Sequence, residues 1–140
     1  MKKTVICIVS TAAVFVLATA LNIQNMIWGG TPSVLGLVFS LVFCACLFVM
    51  PAVAKNRAFA VVSACYAAFS AIASTAGLLA VKGIISDTLA FVVVPPLTAF
   101  CGLSYIMSDY SVFYSVLIAF TLIAALNLIL TARKTAAAKA

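Results

Sequence analysis

Apolar residues occupy this 140-residue chain in long uninterrupted stretches instead of alternating with polar ones. The first runs from Thr4 to about Leu21, the second from Ser33 to Ala54 and the third from Ala58 to Val81. A fourth stretch covers residues 88–107, and the last runs from Ser111 to Ala132. Each is close to the ~20 residues that a helix needs to cross ~30 Å of hydrocarbon. Polar or turn-forming breaks separate them: residues 22–32 with Gly29-Gly30, the Lys55-Asn56-Arg57 turn, residues 82–87, and Ser108-Asp109-Tyr110. This pattern predicts an all-α fold, a polytopic transmembrane helical bundle making a single integral membrane domain over residues 1–140. The connections are too short to hold a soluble domain, and the tail 133–140 is polar and Ala-rich.

The fourth stretch sets the topology. Pro95 and Pro96 lack N–H groups, so a continuous helix would strand the carbonyls of Phe91 and Val92. Val94 and Pro95 each precede a proline and are pushed out of the helical region. The stretch should break into two half-length helices, one ending near Val93 and one beginning at Pro96 and running to about Met107. It is therefore either re-entrant or a kinked fifth span beside four full spans.

Charge favours the first arrangement. Basic residues concentrate on the cytoplasmic side of membrane proteins. If all five stretches cross, the basic residues divide evenly between the two sides. If residues 88–107 fold back, Lys2, Lys3, Lys55, Arg57, Arg133, Lys134 and Lys139 share one side and Lys82 alone lies on the other. Trp28, Tyr105, Tyr110 and Tyr114 then gather at the opposite interface, where such rings prefer to sit. The expected setting is a bacterial inner membrane with a cytoplasmic N-terminus, and a cytoplasmic C-terminus for four spans. An alternative for the first span is a cleaved signal peptide with Lys2-Lys3 as its basic region and Ala18-Thr19-Ala20 as the cleavage site.

Composition removes most catalytic chemistry from consideration. The chain is 67% hydrophobic and 7% charged, with no His. Its only acidic side chains are Asp87 and Asp109. The usual acid–base and metal-binding residues are thus missing, and no phosphate-binding glycine loop occurs. No catalytic site, metal or cofactor is expected, and no enzyme. The cysteines (Cys7, Cys44, Cys46, Cys65, Cys101) all lie within apolar runs and read as small buried hydrophobes. With no basic stripe interleaved with aromatics, nucleic acid is not an expected partner.

Small residues at helical spacing mark candidate packing faces. They are Gly36 and Ser40 in the second span; Ala60, Ala64, Ala68, Ala71 and Gly77 in the third; and Ser111, Ser115 and Ala119 in the last. Such faces let helix backbones approach closely. The third span, the richest in them, is expected to be central. There are more small-residue faces than one small bundle can bury, so a homo-oligomer or another membrane subunit is expected beside the lipid bilayer. Asn127, an amide inside the last span, is expected to bridge to a neighbouring helix.

Two functions follow as expectations. The first is a non-enzymatic subunit or an accessory or regulatory protein of a membrane assembly. The second is a minimal oligomeric transporter or channel using the broken segment. Its candidate ligand or ion site comprises the freed carbonyls of Phe91 and Val92 with Pro95, Pro96 and Thr98, flanked by Asp87 and Asp109.

Overall fold

The computed structural model describes residues 2–86, 95–107 and 109–137. Four long helices are present: α1 (Lys2–Trp28), α2 (Val34–Ala54), α3 (Arg57–Val81) and α4 (Tyr110–Ala137). All four are long and apolar enough to cross a membrane, the mark of an integral membrane protein. A 3-10 helix, Thr98–Ile106, precedes α4. The first half of the broken stretch, including Asp87, Phe91 and Val92, lies outside the described residues, as does Lys139.

The ends of the helices follow from local chemistry. Ser33 caps α2 by accepting from the N–H of Gly36 at 3.0 Å, and Asn56 caps α3 by accepting from Phe59 at 3.0 Å. The sharp α2–α3 reversal is completed by Lys55 in the left-handed region (φ 48°). Asp109 opens α4: its carboxylate accepts from the N–H of Ser111 at 2.7 Å, and its carbonyl accepts from Phe113.

Two sets of contacts fix the direction of every helix. The hydroxyl of Thr4 donates to the carbonyl of Ala54 at 3.3 Å, which joins the start of α1 to the end of α2. Arg57 at the start of α3 and Arg133 near the end of α4 line one groove. At the other end, the α1–α2 loop (Gly29 to Pro32) shares a pocket with Tyr105, Met107 and Tyr110. Tyr114 there packs on Gly77, near the end of α3. The α3 C-terminus and the α4 N-terminus therefore meet at the same end of the bundle. The chain between them thus begins and ends at the same end of the bundle, and the four long helices are the ones long and apolar enough to span. Lys2, Lys3, Lys55, Arg57, Arg133 and Lys134 all belong to the opposite end.

Three features differ from the sequence reading. α1 does not stop near Leu21 but continues through Asn22, Gln24 and Asn25 to Trp28. Asn22 is wholly buried and hydrogen-bonded on α2, so it is a core residue and not a loop signal. The piece after Pro96 is helical through Leu97 and then tightens to a 3-10 helix. Nor is α3 central: it packs along α4, while the 3-10 helix takes the middle between α1 and α2.

Candidate functional site

Among the described residues, the proline-started segment leading into the 3-10 helix departs from regular α-helix, and carbonyls that its own backbone leaves unpaired at membrane depth require partners. Tyr66, half-way along α3, donates its hydroxyl to the carbonyl of Pro96 at 2.7 Å. Ser40 of α2 donates to the carbonyl of Ala99 at 2.7 Å. Tyr66 lies about 14 Å from the basic end of α3 and Ser40 about 21 Å from that of α2, at 1.5 Å per residue. From Pro96 to Tyr105 the segment thus runs from near the middle of the bundle to the end at which α4 begins.

The 3-10 form explains how it fits. Side chains three apart eclipse in this helix, so Ala99 and Gly102 make one flat edge. That edge lies against α2 so closely that a Cβ on Gly102 would collide with the carbonyl of Gly36. A second clasp comes from α1: the Asn22 amide donates to the carbonyls of Ala18 (2.8 Å) and Gly36 (3.3 Å) and to the Ser40 hydroxyl (3.2 Å). Its Oδ1 is buried with no donor among the described residues.

Below this polar node the centre is aromatic. Phe100 of the 3-10 helix sits 5.3 Å from Phe43 and 6.1 Å from both Tyr66 and Phe120, between ring centroids. Phe15 of α1 joins at 5.5 Å from Phe43. These rings fasten all five elements to one another.

The structure scatters the remaining candidate residues. Pro95 is exposed, Pro96 and Thr98 are buried, and Asp109 is exposed at the far end of α4; Asp87, Phe91 and Val92 lie outside the described residues. Of the small-residue positions, Gly36, Ser40, Ala60, Ala64, Ala71 and Gly77 are buried, whereas Ala68, Ser115 and Ala119 are exposed and Ser111 half-buried. The buried residues of α4, whose main neighbour is α3, are instead Phe113, Tyr114, Leu117, Thr121, Ala124, Ala125, Leu128 and Ala132. Tyr114 fills the space that Gly77 leaves: a Cβ there would stand 2.5 Å from the ring. Large-on-small complementarity, not Ser/Ala spacing alone, selects the inward face.

The outward stripe is the feature that sequence reasoning placed inside. Ser115, Ala119, Ile123 and Asn127 follow one another at four-residue spacing, all exposed. Asn127, expected to bridge to a neighbouring helix, is exposed on the outside of the bundle, among exposed Ile123, Leu126 and Leu130. Tyr66 was also missed as a ligand of the re-entrant backbone. The signal was available: a tyrosine in mid-span requires a hydroxyl partner, and the Pro-Pro pair frees carbonyls.

Among the described residues, no cluster of Cys and Asp side chains has the makings of a metal site. Compared with known proteins, the chain matches no family model, no curated protein and no solved structure.

Proposed function

We propose that this protein is a non-enzymatic subunit or accessory protein of a membrane assembly, and that α4 presents its docking face. The observation that carries the reading is Asn127. An amide held against lipid gains by finding a hydrogen-bond partner on another helix, and the bundle turns this one outward. Ser115 and Ala119 on the same stripe leave room for a second backbone to approach. The occupant is a membrane helix, from a second copy of the chain or from another subunit. The basic end lies in the cytoplasm of a bacterial cell by the positive-inside bias.

Extraction in mild detergent with size analysis and identification of companions tests this. The expected result is an assembly larger than one chain that Ala119→Leu or Asn127→Leu reduces to the single chain. A wild-type protein recovered alone as a monomer contradicts it.

A second reading, a minimal oligomeric transporter or channel, draws on one observation. The Oδ1 of Asn22 is buried without a donor beside the re-entrant segment, and broken segments of this kind form ion sites in transporters. Ion flux by the purified protein alone in liposomes, lost in Asn22→Leu, would support that reading over the first.

A further inference from the structure

α3 and α4 pack tightly near Gly77 and Tyr114, and towards the basic end their shared surface is hollowed. A groove of about 460 Å³ opens between them there. Ala64, Cys65 and Ala68 of α3 and Ile129 of α4 line it, and Arg57 and Arg133 border it from the two helices. Arg57 is the first residue of α3, so the groove runs from the bundle's end about 16 Å inward to Ala68, at 1.5 Å per residue. It is charged at its mouth and apolar along its length.

Two arginines on one groove repel each other unless an anion joins them. Among the described residues, no acidic side chain lies at this end. Asp109 sits at the opposite end of α4, about 36 Å away along the helix, and Asp87, outside the described residues, follows the far end of α3 in sequence. A second copy of the chain docked here would bring two more arginines and no acidic side chain. An anion bound there must also tolerate an apolar trough open to hydrocarbon.

We infer that this groove binds an anionic phospholipid. Arg57 and Arg133 hold the phosphodiester, for which the guanidinium fork is well shaped, and one acyl chain lies along Ala64 and Ala68. Basic pockets between membrane helices are known to take lipid headgroups in this manner. The site lies on a different face from the Asn127 stripe and stands independently of it.

The test is native mass spectrometry of the full chain in neutral detergent. It is titrated with phosphatidylglycerol, with phosphatidylcholine of the same acyl chains, and with glycerol phosphate. A single phosphatidylglycerol adduct should form at concentrations about 25-fold below those for phosphatidylcholine, about fivefold for each arginine. Glycerol phosphate, lacking the chains, should compete only weakly. Arg57→Gln with Arg133→Gln should bring the two lipids to parity, while Lys2→Gln with Lys3→Gln keeps the preference. Ala68→Trp, an exposed position that fills the trough without altering charge, should abolish the adduct. Phosphatidylglycerol should also slow alkylation of Cys65, the one exposed cysteine. Equal binding of both lipids, a preference that survives the double arginine change, or equal competition by glycerol phosphate would overturn the inference. So would a double variant whose mass falls from two chains to one, which would mean that a second copy fills the groove.

Discussion

The α3–α4 pair and the seat of the 3-10 helix are held by different physics. Between α3 and α4 both backbones are regular helices that satisfy their own hydrogen bonds. What remains is shape: Ala60, Ala67, Ser70, Ala71, Ser74 and Gly77 on one side and Tyr114, Leu117 and Leu128 on the other. Dispersion between well-fitted surfaces is then enough. The 3-10 helix is short and its hydrogen-bond geometry is poorer than that of an α-helix, so fit alone holds it less well. It needs Ser40 and Tyr66 as donors and the Gly36–Gly102 contact to bring it within their reach. In lipid, a regular helix chooses neighbours by shape, whereas a broken one chooses them by which hydroxyls stand at the right depth.

Substitutions separate the two modes, each read as the midpoint of detergent-induced unfolding in mixed micelles. The largest effect is expected at Gly102. Gly102→Leu drives a side chain into the α2 backbone and should cost about 3 kcal/mol. No change at a single neighbouring side chain should restore it, because the obstacle is a carbonyl. Gly77→Leu should cost about 2 kcal/mol, but there the obstacle is the Tyr114 ring, so Tyr114→Ala in the same chain should recover much of the loss. Equal rescue at both sites would erase the distinction.

Tyr66→Phe and Ser40→Ala should each cost about 1 kcal/mol, the scale of hydrogen bonds between membrane helices. Their signature is local: amide exchange should quicken over residues 98–106 and stay unchanged in α3 and α4. The smallest effect is expected for Ser33→Ala, which removes the α2 cap and should cost about 0.5 kcal/mol without altering exchange in the 3-10 helix.

Much of this architecture was legible in the sequence. Run length picked out the four long helices, because hydrocarbon thickness imposes its own ruler, but it gave residues 88–107 the same length. Two missing donors predict the break at Pro95-Pro96, whose first half lies outside the described residues, and the basic residues agree with α3 ending and α4 starting at the same end. Other features were hidden for physical reasons. Asn22 looks like the end of a span to any measure of polarity; only the carbonyls of Ala18 and Gly36 and the Ser40 hydroxyl, brought together in space, make it a core residue. The 3-10 geometry comes from the narrow space beside Gly36, which no local preference encodes. In α4, small residues recur on more than one side, so the spacing of Ser111, Ser115 and Ala119 did not reveal which side faces α3. Tyr114 opposite Gly77 decides it, and that is a pairing between distant parts of the chain.

The fold-back governs everything else, since it puts the basic ends together and brings Pro96 to Tyr66. Site-specific labelling in sealed vesicles tests it directly, using single cysteines at Lys2, Gly30, Gly83 and Ala137 in a chain whose native cysteines are replaced by alanine. An impermeant maleimide should reach positions 2 and 137 from one face only, and positions 30 and 83 from the other face only. Labelling of positions 2 and 137 from opposite faces would mean that the proline-broken stretch crosses the membrane, contradicting the account.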